Sequence, residues 1–138
     1  MRIAFATDVR TEVTERVRAS LLAAGHRVDV VADGAAWPEV GRAAAQAVVD
    51  GAADRGVVFC TTGTGVAMAA NKVGGARAAL CSDAWTAAGA RRWNDANVLA
   101  LGLRLTTEAV AGEIVAAFLE TPFDPDEAEA VARVDRVT

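Results

Sequence analysis

The chain of 138 residues has no tyrosine, a single histidine, two cysteines and three prolines, and it has no cluster of basic residues. Neither Cys60 nor Cys81 stands in a C-x-x-C or Cys/His spacing, so neither a disulfide framework nor a zinc site is expected. The lone His26 follows Gly25 in a helix-to-strand turn, far from any expected site, and no histidine is at hand to activate a thiol for hydrolysis. The 14 Lys and Arg are scattered among 18 Asp and Glu, for a net charge of −4. Without a basic stripe to neutralise a phosphate backbone, nucleic acid is not an expected partner. No apolar run approaches the length of a membrane span, and "MRIAFATD" meets its first acid too early for a secretion signal. The expected setting is the cytoplasm, with no membrane partner.

What the sequence does contain is apolar residues, 53% of the total, enough for one compact domain with a sizeable core. Five runs have strand length: "RIAFA" (2–6), "RVDVV" (27–31), "GVVFC" (56–60), "ARAALC" (76–81) and "NVLALG" (97–102). Ala-rich stretches of helical period separate them, over 10–24, 38–51, 64–71, 83–92 and 106–120. Most of the strands are apolar at nearly every position, as parallel strands covered on both faces are. The expected fold is an α/β three-layer sandwich with a five-stranded parallel sheet. Gly25, Gly51 and Gly102 stand where the chain must reverse, and Pro38 fits a first helical turn. Residues 1–121 form the expected domain. Residues 122–138 form a helical extension whose Val131, Val134 and Val137 need a surface to pack on, the domain itself or a second subunit.

In an open α/β sheet, ligands bind beyond the carboxyl ends of the strands. That rule selects Thr7 and Asp8, Cys60 to Gly65, Ser82 and Asp83, and Gly102 to Arg104. Gly63 and Gly65 let the backbone approach a ligand closely, and the amides opening the next helix suit an anion. The turn "CTTGTGVAM" is neither a Walker loop nor a full dinucleotide fingerprint, since Met68 replaces the third glycine. Cys60 beside this turn is either a reactive thiol or a small buried hydrophobe; Cys81 reads as the latter. Asp8 either exchanges protons with a hydroxyl or caps the helix beginning near Arg10. In "WNDAN", Asp95 and Asn97 suit the turn, and Asn94 can reach an oxyanion.

The combination of "CTTGTGVAMAANK", "RAALCSDAWTA" and "NDANVLALG", in this order and spacing, resembles the ribose 5-phosphate isomerase B family, which includes the galactose 6-phosphate isomerase subunits. The resemblance implies a Rossmann-like homodimer or homotetramer. It implies cofactor-free and metal-free interconversion of an aldose and a ketose phosphate through an enediolate. It assigns Cys60 as the base moving a proton between C1 and C2, Asp8 to the hydroxyl protons and Thr62 to ring opening. Gly63, Thr64, Gly65 and Asn94 bind the substrate's reacting end. Arg133 falls near a family arginine, and Arg10, Arg92 and Arg104 are other cations available to a phosphate.

The chain also departs from the family pattern. Val9 stands for the His after the family's Asp, Trp93 for the His of "HNDAN", and Ala36-Trp37 precede Pro38 where "DYP" is usual. Asp126, Glu127 and Glu129 occupy the region of a family arginine, where a phosphate would be repelled. The expected substrate is thus ribose 5-phosphate by family default. The alternative is a shorter or unphosphorylated sugar, or a non-catalytic, sugar-binding member or hetero-oligomer subunit.

Overall fold

The computed structural model describes residues 1–136. Strands and helices alternate: β1 (Arg2–Thr7), α1 (Glu12–Ala23), β2 (Arg27–Asp33), α2 (Trp37–Val49), β3 (Arg55–Cys60), α3 (Thr64–Asn71), β4 (Ala78–Leu80), α4 (Ala84–Asn94), β5 (Val98–Gly102) and α5 (Glu108–Glu120). A 3₁₀ turn (Pro125–Glu127) leads into α6 (Ala128–Asp135). The strands form one parallel sheet in the order β2-β1-β3-β5-β4. This is the three-layer sandwich that the alternation predicts.

The central strands alternate in side-chain size rather than polarity. Ile3, Phe5, Val57, Phe59, Leu99 and Leu101 pack with α1, α4 and α5. Ala4, Ala6, Val58, Cys60, Val98 and Ala100 face α2 and α3. Burial on both faces holds for β1, β3 and β5 but not for the edge strands, where Val30, Val31 and Leu80 are exposed. An edge strand has a sheet neighbour on one side only, and the helices do not cover it fully. The β1–β2 register also slips at Phe5/Ala6, leaving Val31 unpaired, a bulge of the kind that blunts an open edge.

β4 is shorter than expected, because Arg77 is already committed: its N–H donates to Asn97 Oδ1 at 2.7 Å and its carbonyl accepts from the Asn97 N–H. Gly25 and Gly51 adopt left-handed φ of 88° and 81° as chain reversals. Gly102 does not; it serves close approach instead, since a Cβ there would lie 2.6 Å from Thr62 O. Beyond α5 the Asp124 N–H donates to Arg92 O, and α6 returns to the amino edge of the sheet. There Val131 is buried and Asp135 pairs with Arg77 at 3.1 Å. The extension therefore packs on its own chain through Val131, while Val134 stays exposed and Val137 lies outside the described residues.

Candidate active site

The chain leaves β1 toward β2 on one side, and β3 lies on the other, so the sheet's switch point falls between β1 and β3. A crevice at the carboxyl ends of such strands is where ligands of this fold class bind. Thr7 pairs with Phe59 across it, and the Asp8 N–H donates to Phe59 O at 3.4 Å, which brings Asp8 beside Cys60. Asp8 does not cap α1. Thr11 does, in a reciprocal box with Thr14, its Oγ1 accepting the Thr14 N–H and Thr14 Oγ1 accepting the Thr11 N–H. The Asp8 carboxylate is not the cap of α1, and its Oδ1 is buried with no hydrogen-bond partner among the described residues. An orphaned acceptor of this kind is costly unless a further group satisfies it.

Cys60 is buried at the end of β3, its sulfur accepting the Gly63 N–H at 3.2 Å. Gly63 is left-handed, with φ 76°, and a Cβ there would lie 2.5 Å from Leu80 Cδ1 and 2.9 Å from Gly102 N. Conformation and space both demand glycine. The loop is tied to the strand beside it: the Leu103 N–H donates to Cys60 O at 2.9 Å and the Arg104 N–H to Thr61 O at 3.0 Å. Thr62 and Thr64 share a hydroxyl hydrogen bond of 2.6 Å over the mouth of the turn. Gly63 supplies no side-chain cap to α3, and the Thr64 N–H donates to Thr62 Oγ1 at 3.4 Å; the Gly65 and Val66 amides that follow are donors without intrahelical acceptors, at the positive end of the helix dipole. The Cys60 thiol, the amides of the glycine turn and the Asp8 carboxylate thus lie together at the carboxyl ends of β1 and β3.

Other predicted residues lie differently. Arg10 is at the same edge, but its guanidinium is engaged by Asp33, whose carboxyl it holds below the usual range. Arg104, exposed just beyond the Cys60 loop, is the cation whose backbone is fixed to that loop. Asn94 ends α4 and lines a cavity with Asn71, Arg77 and Ala78 at the amino edge of the sheet, where exposed Arg133 of α6 also lies. Within one chain, therefore, neither Asn94 nor Arg133 is brought to Cys60. Asp126, Glu127 and Glu129 lie with this amino-edge segment. Asp95 and Asn97 do satisfy the turn. Asp95 adopts φ 47° and pairs with Arg91 at 2.8 Å, and Asn97 Nδ2 donates to Gly75 O. Asp83 caps α4 through the Thr86 N–H, which draws its carboxyl below the usual range.

Cys81 provides an internal contrast. It sits among the large side chains of the opposite face, where burial, and secondarily the charge of Asp83, pushes its thiol up to about 11. Two further residues touch the glycine turn. Trp37 lies against Gly65, and Gly102 admits the Thr62 carbonyl. Gly102 is among the strand-end residues that the sequence selects, whereas the contact of Trp37 with Gly65 joins residues far apart in the chain.

Relatives bear on this geometry. A family model described as Ribose/Galactose Isomerase matches residues 3–137. A D-erythrulose-4-phosphate isomerase of Pectobacterium atrosepticum is 36% identical over 120 residues, 86% of this chain and 79% of that protein. The ribose-5-phosphate isomerase B of Escherichia coli is 40% identical over 88 residues, 64% of this chain and 59% of that one. A solved structure of Clostridium thermocellum ribose-5-phosphate isomerase B superposes with a TM-score of 0.91 at 33% identity, over 99% of this chain and 97% of that one. With the motif order, the sheet topology and a match along almost its whole length, the chain belongs to the ribose/galactose isomerase family of sugar phosphate isomerases.

Proposed function

We propose that this isomerase interconverts an aldose phosphate and a ketose phosphate of four or five carbons through an enediolate, with Cys60 as the carbon-acid base. The observation that carries the reading is the convergence of the Cys60 sulfur, the Gly63–Gly65 turn and the unpartnered Asp8 carboxylate at the switch point. A carbon acid is weak, so a base is of use only where preorganised donors hold the oxyanion that forms. The Cys60 thiolate takes the proton from C2 of the open-chain aldose, and the electron pair moves to O1. The turn amides hold that oxygen. Asp8 carries the hydroxyl proton from O2 to O1, and the Cys60 thiol returns its proton to C1, giving the ketose. Thr62 serves ring opening. Arg104 and Arg10 are the cations on this edge for the phosphate.

The relative that acts on D-erythrulose 4-phosphate supports the shorter substrate, as do Val9 and Trp93 in place of two family histidines. The fold likeness to ribose-5-phosphate isomerase B keeps ribose 5-phosphate as the second reading. Incubation with tetrose and pentose phosphates in deuterated water checks both. Label should enter C1 or C2 with the true substrate and be lost in Cys60→Ala. Absence of exchange with every candidate would sink the mechanism.

The functional unit is read as at least a homodimer. Asn94 and Arg133 can act at a Cys60 site only from a second copy, and Leu80, Trp85 and Trp93 expose apolar surface along the β4 edge. Trp85 and Trp93 meet there edge to face at 5.7 Å. Mixing Cys60→Ala with Asn94→Ala protein should restore part of the activity that each lacks alone; no restoration would place Asn94 outside the site.

A further inference from the structure

The glycine turn is the least self-supporting part of the site. Two glycines cost more backbone entropy to order than any other pair of residues, and the Gly63 N-cap of α3 supplies no side chain, leaving only a long 3.4 Å bond from the Thr64 N–H to Thr62 Oγ1. Yet amides serve an oxyanion only if their direction is set beforehand. The support comes from α2. Trp37 opens that helix, followed by Pro38, whose ring fixes the local backbone. The indole lies against Gly65: a Cβ there would be 2.8 Å from Trp37 Cε3 and 2.9 Å from Cδ2. One turn along α2, Gly41 makes the second contact, where a Cβ would be 2.5 Å from Val66 O and 2.8 Å from Ala69 Cβ. Trp37 and Gly41 share one face of α2, so the two helices approach as a clamped pair. Trp37 nevertheless remains 47% exposed, outside the core.

We propose that Trp37 is a positioning residue: its indole, laid on Gly65, holds the turn amides in the direction that receives the enediolate oxygen. The proposal rests on the isomerase reading for its chemistry, but not for its structural claim. It also accounts for glycine at position 65, where the left-handed conformation of Gly63 is not the reason. The ring makes no claim on the substrate itself; its effect passes through the backbone of Gly65.

Two readouts test it on the full chain as Trp37→Ala and Trp37→Phe. Amide hydrogen exchange needs no substrate: in Trp37→Ala the peptide over 61–67 should exchange about tenfold faster or more, while peptides from β5 and α5 keep their rates. Unchanged exchange in that peptide overturns the proposal, whatever the activity. In turnover, Trp37→Ala should lose about tenfold to a hundredfold in kcat with KM nearly unchanged, and Trp37→Phe should recover most of it. A rise in KM at unchanged kcat also overturns it, by making Trp37 a substrate contact. A wild-type protein that exchanges no substrate hydrogen refutes the isomerase reading instead, and the exchange of the 61–67 peptide still decides the role of Trp37.

Discussion

The two faces of the sheet use the same strands for opposite ends. Toward α1, α4 and α5 the strands present Ile3, Phe5, Val57, Phe59, Leu99 and Leu101, and Phe118 and Ile114 of α5 close over them. Toward α2 and α3 they present Ala4, Ala6, Gly56, Val58 and Ala100, and the helices answer with Ala44, Ala45, Ala67 and Ala70. Large side chains bury more apolar area, so the first face supplies most of the hydrophobic stabilisation. Small ones let backbones approach, so the second brings α3, its turn and Cys60 into close register. The two cysteines divide accordingly: Cys81 sits with the large residues and Cys60 with the small.

The cysteines offer the largest test of this contrast. Cys60→Ala should lower turnover by about a thousandfold or more, as loss of a catalytic base or nucleophile does, with the fold intact by circular dichroism. Cys81→Ala should leave kcat within about twofold. Equal losses in both would erase the functional distinction between the faces.

Packing is next in size. Phe118→Ala on the large face should cost about 3–5 kcal/mol in urea unfolding, through lost burial and a cavity. Ala44→Leu on the small face should cost about 1–3 kcal/mol by the opposite cause, overpacking between α2 and β3. A neutral Ala44→Leu would show that the small face has slack.

Gly63→Ala tests the turn itself. The left-handed φ, and backbone only 2.9 Å from the added Cβ, predict a destabilisation of about 1–3 kcal/mol or more together with loss of activity. Stability without activity would mean that the loop yields while the amides lose their aim.

The smallest effect is a pH dependence confined to the large face. The Cys81 thiol is raised from 9.0 to about 11, so the folded state holds a proton that the unfolded state releases. Stability is then unaffected below pH 9 and falls as pH rises from about 9 to about 11. Cys81→Ala should flatten that part of the profile, as read by thermal unfolding at fixed ionic strength. An unchanged slope would assign the alkaline loss to other groups.

Much of this was legible along the chain. Strand-length apolar runs between alanine-rich helical stretches specify the sandwich, because periodicity is a local property. Gly63, Thr64 and Gly65 directly after a strand mark a glycine turn into α3 for the same reason. Cys60 was ambiguous from its neighbours alone, since a thiol ending a strand packs well whether or not it reacts. Asp8 reads along the chain as a cap or as a proton carrier, and the structure gives the cap to Thr11.

The sequence by itself determined the kinds of element, their order, the glycine turn and the family motifs, all set by residues within a few positions of one another. Only the tertiary structure decided which strands are edges, which face each cysteine occupies, that Trp37 rests on Gly65, and that Asn94 ends at the opposite edge from Cys60. These depend on strand order and on how closely helices can approach. No local pattern encodes either, because both arise when side chains far apart in the chain compete for the same space.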